Sequence, residues 1–184
     1  MTTMTTVAGE RQDKLDKLCY LFIIFVTGCL VGWLYEEIFY WLTEGLLRNR
    51  GTLYGPWLPI YGVGALGIYA MKPLKKNPVL LFIMCTLITG VVEYVIGFGI
   101  IKIFGVKLWD YTGLFLNIHG IICFRSVITF AILGLFFHYI LEPMGRKTVD
   151  HMGPIIVRRL CFAIGALMLA DCLLSALFRT PIMY

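Results

Sequence analysis

Long stretches almost free of charge set the first constraint on this chain. Residues 18–42, 79–104, 118–141 and 157–178 are apolar runs interrupted by few ionisable groups, and a shorter run covers 59–71. About 20 apolar residues in a helix cross the ~30 Å of hydrocarbon in a bilayer. A soluble domain is about half apolar. Here 59% of the 184 residues are hydrophobic, and the 15% that are charged gather between the runs. The expectation is an all-α polytopic membrane helix bundle of about five transmembrane helices. Residues 1–17 are a polar N-terminal lead-in, and 18–184 form a single transmembrane domain, with no room for a folded soluble one.

The links between runs give an orientation. If the N-terminus is cytoplasmic, ten basic residues lie inside: Arg11, Lys14, Lys17, Lys72, Lys75, Lys76, Arg146, Lys147, Arg158 and Arg159. Five lie outside: Arg48, Arg50, Lys102, Lys107 and Arg179. Basic residues concentrate on the cytoplasmic side of membrane proteins. The expected localisation is therefore integral to the cell membrane, with the N-terminus cytoplasmic and the C-terminus outside. The net charge of +5 then reflects inner loops and not nucleic-acid binding. Residues 1–17 lack a signal-peptide layout.

Two short segments share a pattern. Gly55-Pro56-Trp57-Leu58-Pro59-Ile60-Tyr61-Gly62 and Gly113-Leu114-Phe115-Leu116-Asn117-Ile118-His119-Gly120 both read G-x-x-L-x-I-x-G. Each approaches an apolar run from the outer side, so an internal duplication of a two-helix unit is a further expectation. Pro56 and Pro59 forbid a helix interior but suit a first helical turn. The second run thus starts near Pro59, and the fourth near Ile118. Glu142-Pro143 is expected to end the fourth run, with a loop from Gly145 to Pro154.

Ionisable groups inside a bilayer cost at least ~2.5 kcal/mol each and face protein or water. Glu93 and Asp171 fall near the middle of their runs, while Glu36 and Arg125 fall in the outer halves. Asn117 and His119 sit just above Arg125. One outward-facing polar pocket is expected to collect these groups, with Asp110 beside it. Gly28, Gly32 and Glu36 recur every four residues, so a close-packing face carries that carboxyl. Arg125 is the one basic group at depth and is expected to pair with Glu93 or Glu36. A surplus acid then carries a proton or takes a cation. Against this stand blander readings. The pair is a static register lock, Asp171 hydrogen-bonds backbone or Ser175, and His119 is simply hydrogen-bonded.

Several classes are excluded or disfavoured. There is no G-x-x-x-x-G-K-[ST], so the chain is no ATPase of that kind, and no H-E-x-x-H or G-x-S-x-G. His119, His138 and His151 are too scattered for zinc, so no metal site is expected. None of the six cysteines forms C-x-x-C, and all read as small buried hydrophobes. No cofactor is expected.

A set of motifs resembles a known family. Gly32-Trp33-Leu34-Tyr35-Glu36, then G-x-L-Y-G-P-x-x-P-I-Y-G from Gly51 to Gly62, then Trp109-Asp110-Tyr111 followed by Asn117 and Gly120, resemble the CmpB-like ABC-transporter type IV family. That family includes small vertebrate transmembrane proteins, and the resemblance covers about residues 20–142. It implies a membrane transport component and joins the Gly-Pro segment and Trp109-Asp110-Tyr111 into one site.

The first expectation is therefore a small transporter or permease-like subunit. Glu36 and Glu93 are its ion- or proton-coupled groups, Arg125 the counter-charge, and Asn117 and His119 outer ligands, with Asp110 and Asp171 completing the site. The expected partners are the lipid bilayer, a small polar solute or ion, and further copies of the chain or other membrane subunits; nucleic acid is not among them. Two alternatives stay open. One is an intramembrane enzyme acting on a lipid or isoprenoid head group, with Asp110, His119 and Glu93 as acid–base groups and Arg125 holding an anion. The other is a non-catalytic scaffold that presents Gly28 and Gly32 on an exposed face.

Overall fold

A computed structural model describes residues 2–45 and 51–179, with backbone alone for 2–11 and 44. Arg48 and Arg50 of the outer basic set and the side chain of Arg11 lie outside the described residues. The helices are α1 (Thr2–Glu44), α2 (Pro59–Ala70), α3 (Pro78–Phe104), α4 (Phe124–Phe136), α5 (Glu142–Met152) and α6 (Pro154–Phe178). Four apolar helical stretches are long enough to cross a membrane, namely Gln12–Thr43, Pro78–Phe104, Phe124–Met152 and Pro154–Phe178. The all-α membrane bundle is thus the observed architecture, with α2 as a fifth, short element. The polar lead-in is helical and continuous with α1.

Side-chain pairings give the directions. Tyr20 meets Tyr69, and the Gly28–Gly32 face of α1 meets Ala65 and Tyr61, so α1 and α2 are antiparallel. Cys85 faces Gly134 and Glu93 faces Ser126, so α3 and α4 are antiparallel as well. Asp16 pairs with Arg158, Cys19 packs with Val157 and Cys161, and Cys29 packs with Met168; α1 and α6 therefore run parallel. The chain crosses alternately, and its two described ends lie at opposite ends of the bundle. We call the end holding residues 51–58 and 105–123 the distal end, and that holding the Lys72–Lys76 turn the proximal end.

A Cβ on Gly28 or Gly32 would collide with Ala65 or Tyr61. The small residues let α2 lie directly on α1, so that face is covered by the chain's own helix. The exposed face that the scaffold reading requires is absent there. Ile24, Ala65, Ile68, Leu81, Cys85, Ala131 and Phe137 form the main core between α1, α2, α3 and α4. Five cysteines are buried, as small core residues; Cys172 is exposed.

Two of the helices begin well below the distal end. The Leu58 amide donates to the Cys29 carbonyl at 3.2 Å. Cys29 lies 14 residues before Thr43, so α2 starts about 21 Å down α1. Ser126 in the first turn of α4 meets Glu93, which is 11 residues before Phe104, or about 16 Å down α3. The irregular segments 51–58 and 105–123 fill the space above. Non-helical backbone at membrane depth is tolerated only where protein or water satisfies it, which sets the chemistry described below.

Two expected boundaries of the fourth run are corrected. It does not start near Ile118: residues 118–123 are loop, with Ile118 bridging to Ile122, and α4 begins at Phe124. Cys123 caps it, accepting from the Ser126 amide while the Ser126 hydroxyl accepts from the Cys123 amide. Nor does Glu142-Pro143 end it. A proline inside a helix lacks an N–H and crowds the carbonyl four residues back. A wider π turn at Phe137–Leu141 directly before Pro143 makes the room, and the helix continues to Met152.

Candidate functional site

The first irregular segment is held by Asp171. Its carboxylate accepts from the Tyr54 amide (2.9 Å), the Gly55 amide (2.8 Å), the Trp57 indole N–H (2.8 Å) and the Ser175 hydroxyl (3.0 Å). Two loop backbone donors thus find a charged acceptor on α6, and the Tyr54 amide is shared with Ser175 Oγ at 3.2 Å. Held this way, the segment turns into α2 and directs the Tyr61 hydroxyl onto Glu36 Oε1 at 2.7 Å.

The second irregular segment is held by its own residues. Trp109 donates its indole N–H to the Ile121 carbonyl (2.8 Å). Asp110 accepts from the Thr112 amide (2.9 Å) and hydroxyl (2.6 Å), with Lys107 Nζ at 3.3 Å. The Thr112 hydrogen bonds, and then the Lys107 contact, hold the exposed Asp110 carboxyl below its usual range. The Tyr111 amide donates to the Gly120 carbonyl (2.8 Å). Asn117 donates to the Leu114 carbonyl and accepts from the Gly120 amide. Gly120 has φ of 69°, and a Cβ there would meet the Asp110 carboxylate and the Thr112 hydroxyl, so no other residue fits. The loop built this way delivers the Tyr111 hydroxyl to Glu93. Burial first, and then the neighbouring carboxylates, push the Tyr111 phenol up, so it faces Glu93 as a protonated hydroxyl.

Glu93 is 3% exposed and accepts from the Ser126 hydroxyl at 2.9 Å, with the Tyr111 hydroxyl beside it. Glu36 lies close enough for its charge to bear on Glu93. The two acids from α1 and α3 therefore share a centre, beside the first turns of α2 and α4. Helix N-termini carry partial positive charge and favour carboxylates nearby. Next to them is a cleft of about 30 Å³, lined by Glu36, Tyr61, Tyr111, Arg125, Ser126 and Phe130 among others. This is room for a water or an ion, whereas sites for larger ligands run to hundreds of Å³.

The other sequence-selected residues divide. Arg125 reaches the cleft but makes no salt bridge among the described residues; its guanidinium lies 5.1 Å from the Phe39 ring centre. The expected pairing with Glu93 or Glu36 is replaced by hydroxyl donors on the acids and a ring under the cation. Asp171 is apart, occupied by the first segment. Asp110 and Asn117 are occupied within the second. His119 is exposed, and its Nδ1 is 2.8 Å from the Tyr94 hydroxyl. Its φ of 55° marks the tight turn into Gly120. Glu37, the neighbouring acid, is buried, and its Oε1 has no partner among the described residues.

Sequence reasoning passed over three site residues. Tyr61 and Tyr111 stand in the motifs without a role of their own, and Ser126 belongs to no motif. A tyrosine two residues after a loop proline or tryptophan carries no signal of its own. A proximal cluster was also passed over. Buried Glu142 accepts from Lys72 Nζ (2.6 Å) and the Tyr20 hydroxyl (3.3 Å), with Lys75 Nζ at 3.9 Å. Beside it, His138 donates Nε2–H to the Ile68 carbonyl at 2.7 Å. Reading Pro143 as a helix stop hid that cluster. Among the described residues no group of His, Cys, Asp and Glu has a metal-binding arrangement.

No curated protein and no solved structure matches the chain. A family match does, and it extends beyond the motifs around both loops to take in Asp171 on α6. Over residues 23–176 the chain matches, and so belongs to, the family described as "Putative ABC-transporter type IV".

Proposed function

We propose that the protein is a small membrane transport subunit in which Glu36 and Glu93 form a proton- or cation-binding centre reached from the distal end. The observation that carries this reading is the setting of Glu93. A carboxyl 3% exposed inside a membrane bundle accepts from the Ser126 hydroxyl, has the Tyr111 hydroxyl beside it and, among the described residues, has no basic partner. Such a group binds and releases a positive charge more readily than one locked to a lysine. Glu142 at the proximal end shows the locked alternative. The family description supports transport as the class of function. With the basic residues counted as above, the N-terminus is cytoplasmic and the cleft faces outward. Assembly into an oligomer or with other subunits is part of the same reading.

The enzyme alternative has less support. Its acid–base groups do not converge, since Asp110 is engaged by Thr112 and Lys107, and His119 meets Tyr94.

The test is proton uptake by purified protein in liposomes loaded with a pH-sensitive dye, driven by a potassium gradient with valinomycin. The wild-type protein is expected to exceed empty liposomes, and Glu93→Gln to fall to the empty-liposome rate. Equal rates for wild type and Glu93→Gln would remove the role assigned to Glu93.

A further inference from the structure

The cleft has a wall of aromatic rings that acid chemistry alone does not need. Phe39 and Tyr35 lie 6.1 Å apart, Tyr35 and Tyr61 6.5 Å, and Tyr61 and Phe130 5.0 Å between ring centres. Glu36 stands among them, with Ser126 and Tyr111 screening Glu93 behind. Rings of this kind attract cations through their negative faces, most strongly when the cation is out of bulk water.

One cation is already there. The Arg125 guanidinium lies over Phe39, 5.1 Å from its centre. Its position is not set by its helix, because Arg125 is the second residue of α4 and a helix N-terminus repels positive charge. It is not set by an ion pair either, since none is formed among the described residues. What it meets is the Phe39 ring, in a cleft that the Glu36 carboxyl also lines. The side chain is also largely exposed, so its head group can leave without disturbing the core.

From these observations we propose that the cleft is a binding site for a small organic cation bearing a guanidinium or ammonium group, and that Arg125 is its built-in, displaceable occupant. This rests on the proposed transport centre and names the class of solute that it takes. In the present arrangement the cleft has space for little more than water. A ligand enters as the Arg125 head group swings out, its charge taking the place of that guanidinium over Phe39 and beside Glu36. A ligand with a short apolar body would lie along Tyr35 and Phe130.

Binding of methylguanidinium to the full chain in lipid nanodiscs, followed by isothermal titration calorimetry, tests the proposal without requiring transport. Arg125→Ala is expected to bind methylguanidinium about tenfold or more tightly than wild type, because the internal competitor is gone. Phe39→Leu in that background is expected to lose the gain, and Arg125→Gln to show part of it. Thermal unfolding of each variant checks that the bundle is intact. Unchanged or weaker binding by both Arg125 variants would overturn the proposal. So would retention of the gain by Arg125→Ala/Phe39→Leu, or inorganic phosphate binding to wild type that Arg125→Ala abolishes, which would make this an anion site. Proton uptake without methylguanidinium binding would sink this inference and leave the transport centre standing. Binding without any uptake would do the reverse.

Discussion

The two glycine-bounded segments share four letters in eight and almost nothing in backbone. The first turns helical at Pro59, so its last tyrosine and glycine, Tyr61 and Gly62, lie inside α2 against α1. The second stays irregular through Gly120, and its helix begins only at Phe124. Yet both do the same work. Each fills the space above a helix that starts below the distal end, each has its loop donors gathered by an aspartate, and each brings one tyrosine hydroxyl to one glutamate. In the first the aspartate is Asp171, on another helix; in the second it is Asp110, within the loop. The tyrosine is Tyr61 inside the pattern in one case and Tyr111 ahead of it in the other. Function here follows from which donor reaches which acid, and matched letters do not place it.

That contrast predicts unequal damage. The largest loss of stability is expected from Asp171→Ala. It strips the acceptor from the Gly55 amide and the Trp57 indole, at about 1–3 kcal/mol for each donor left unmet, and leaves the Tyr54 amide only Ser175 Oγ at 3.2 Å. Thermal unfolding in detergent should show a large fall, and Asp171→Asn, which keeps one acceptor oxygen, a smaller one. Equal stability of Asp171→Ala and wild type would mean that water already serves the first segment.

Gly120→Ala comes next. The left-handed conformation costs a residue with a Cβ about 1–2 kcal/mol, and the new methyl meets the Asp110 carboxylate. The second loop should loosen, seen as faster amide exchange at 109–122, while residues 51–58 keep their protection. Spread of the effect to 51–58 would break the view that the two loops are held independently.

Trp109→Phe is smaller, about 1 kcal/mol for one neutral hydrogen bond, since the ring still packs by Gly97. The smallest effect concerns Asp110. Its carboxyl is held low in the folded chain, so its contribution is present above the unfolded value near 3.9 and fades as pH falls through the lower folded one. Asp110→Asn should therefore reduce stability at neutral pH and make progressively less difference as pH falls below the unfolded value. The group is exposed, and the difference is expected to be slight.

How far the sequence reached follows from the same physics. Apolar runs report length and burial, so α3 was legible nearly to the residue, α6 to within three and the far end of α1 to within two, and Pro59 marked the start of α2; the helical course of the polar lead-in into α1 was not legible. The recurrence of Gly28, Gly32 and Glu36 foretold a close face with a carboxyl at its edge. What failed was local. Pro143 reads as a stop unless a π turn before it can be foreseen, and apolar 118–123 reads as helix unless the loop's own hydrogen bonds are known. The site was half legible. Charge at depth singled out Glu36, Glu93, Arg125 and Asp171, but the partner of each is set by tertiary approach. Arg125 found a ring, Asp171 found a loop, and the acids found tyrosines.

At the centre of this account is the claim that Glu36 and Glu93, from separate helices, work as one unit. The most direct test is a double-mutant cycle on proton uptake in liposomes with Glu36→Gln, Glu93→Gln and the pair, each confirmed folded by thermal unfolding. Residues that act as a unit are not additive. The double variant is expected to be no worse than the more severe single one. Independent, multiplying losses, or full uptake by either single variant, would contradict the claim.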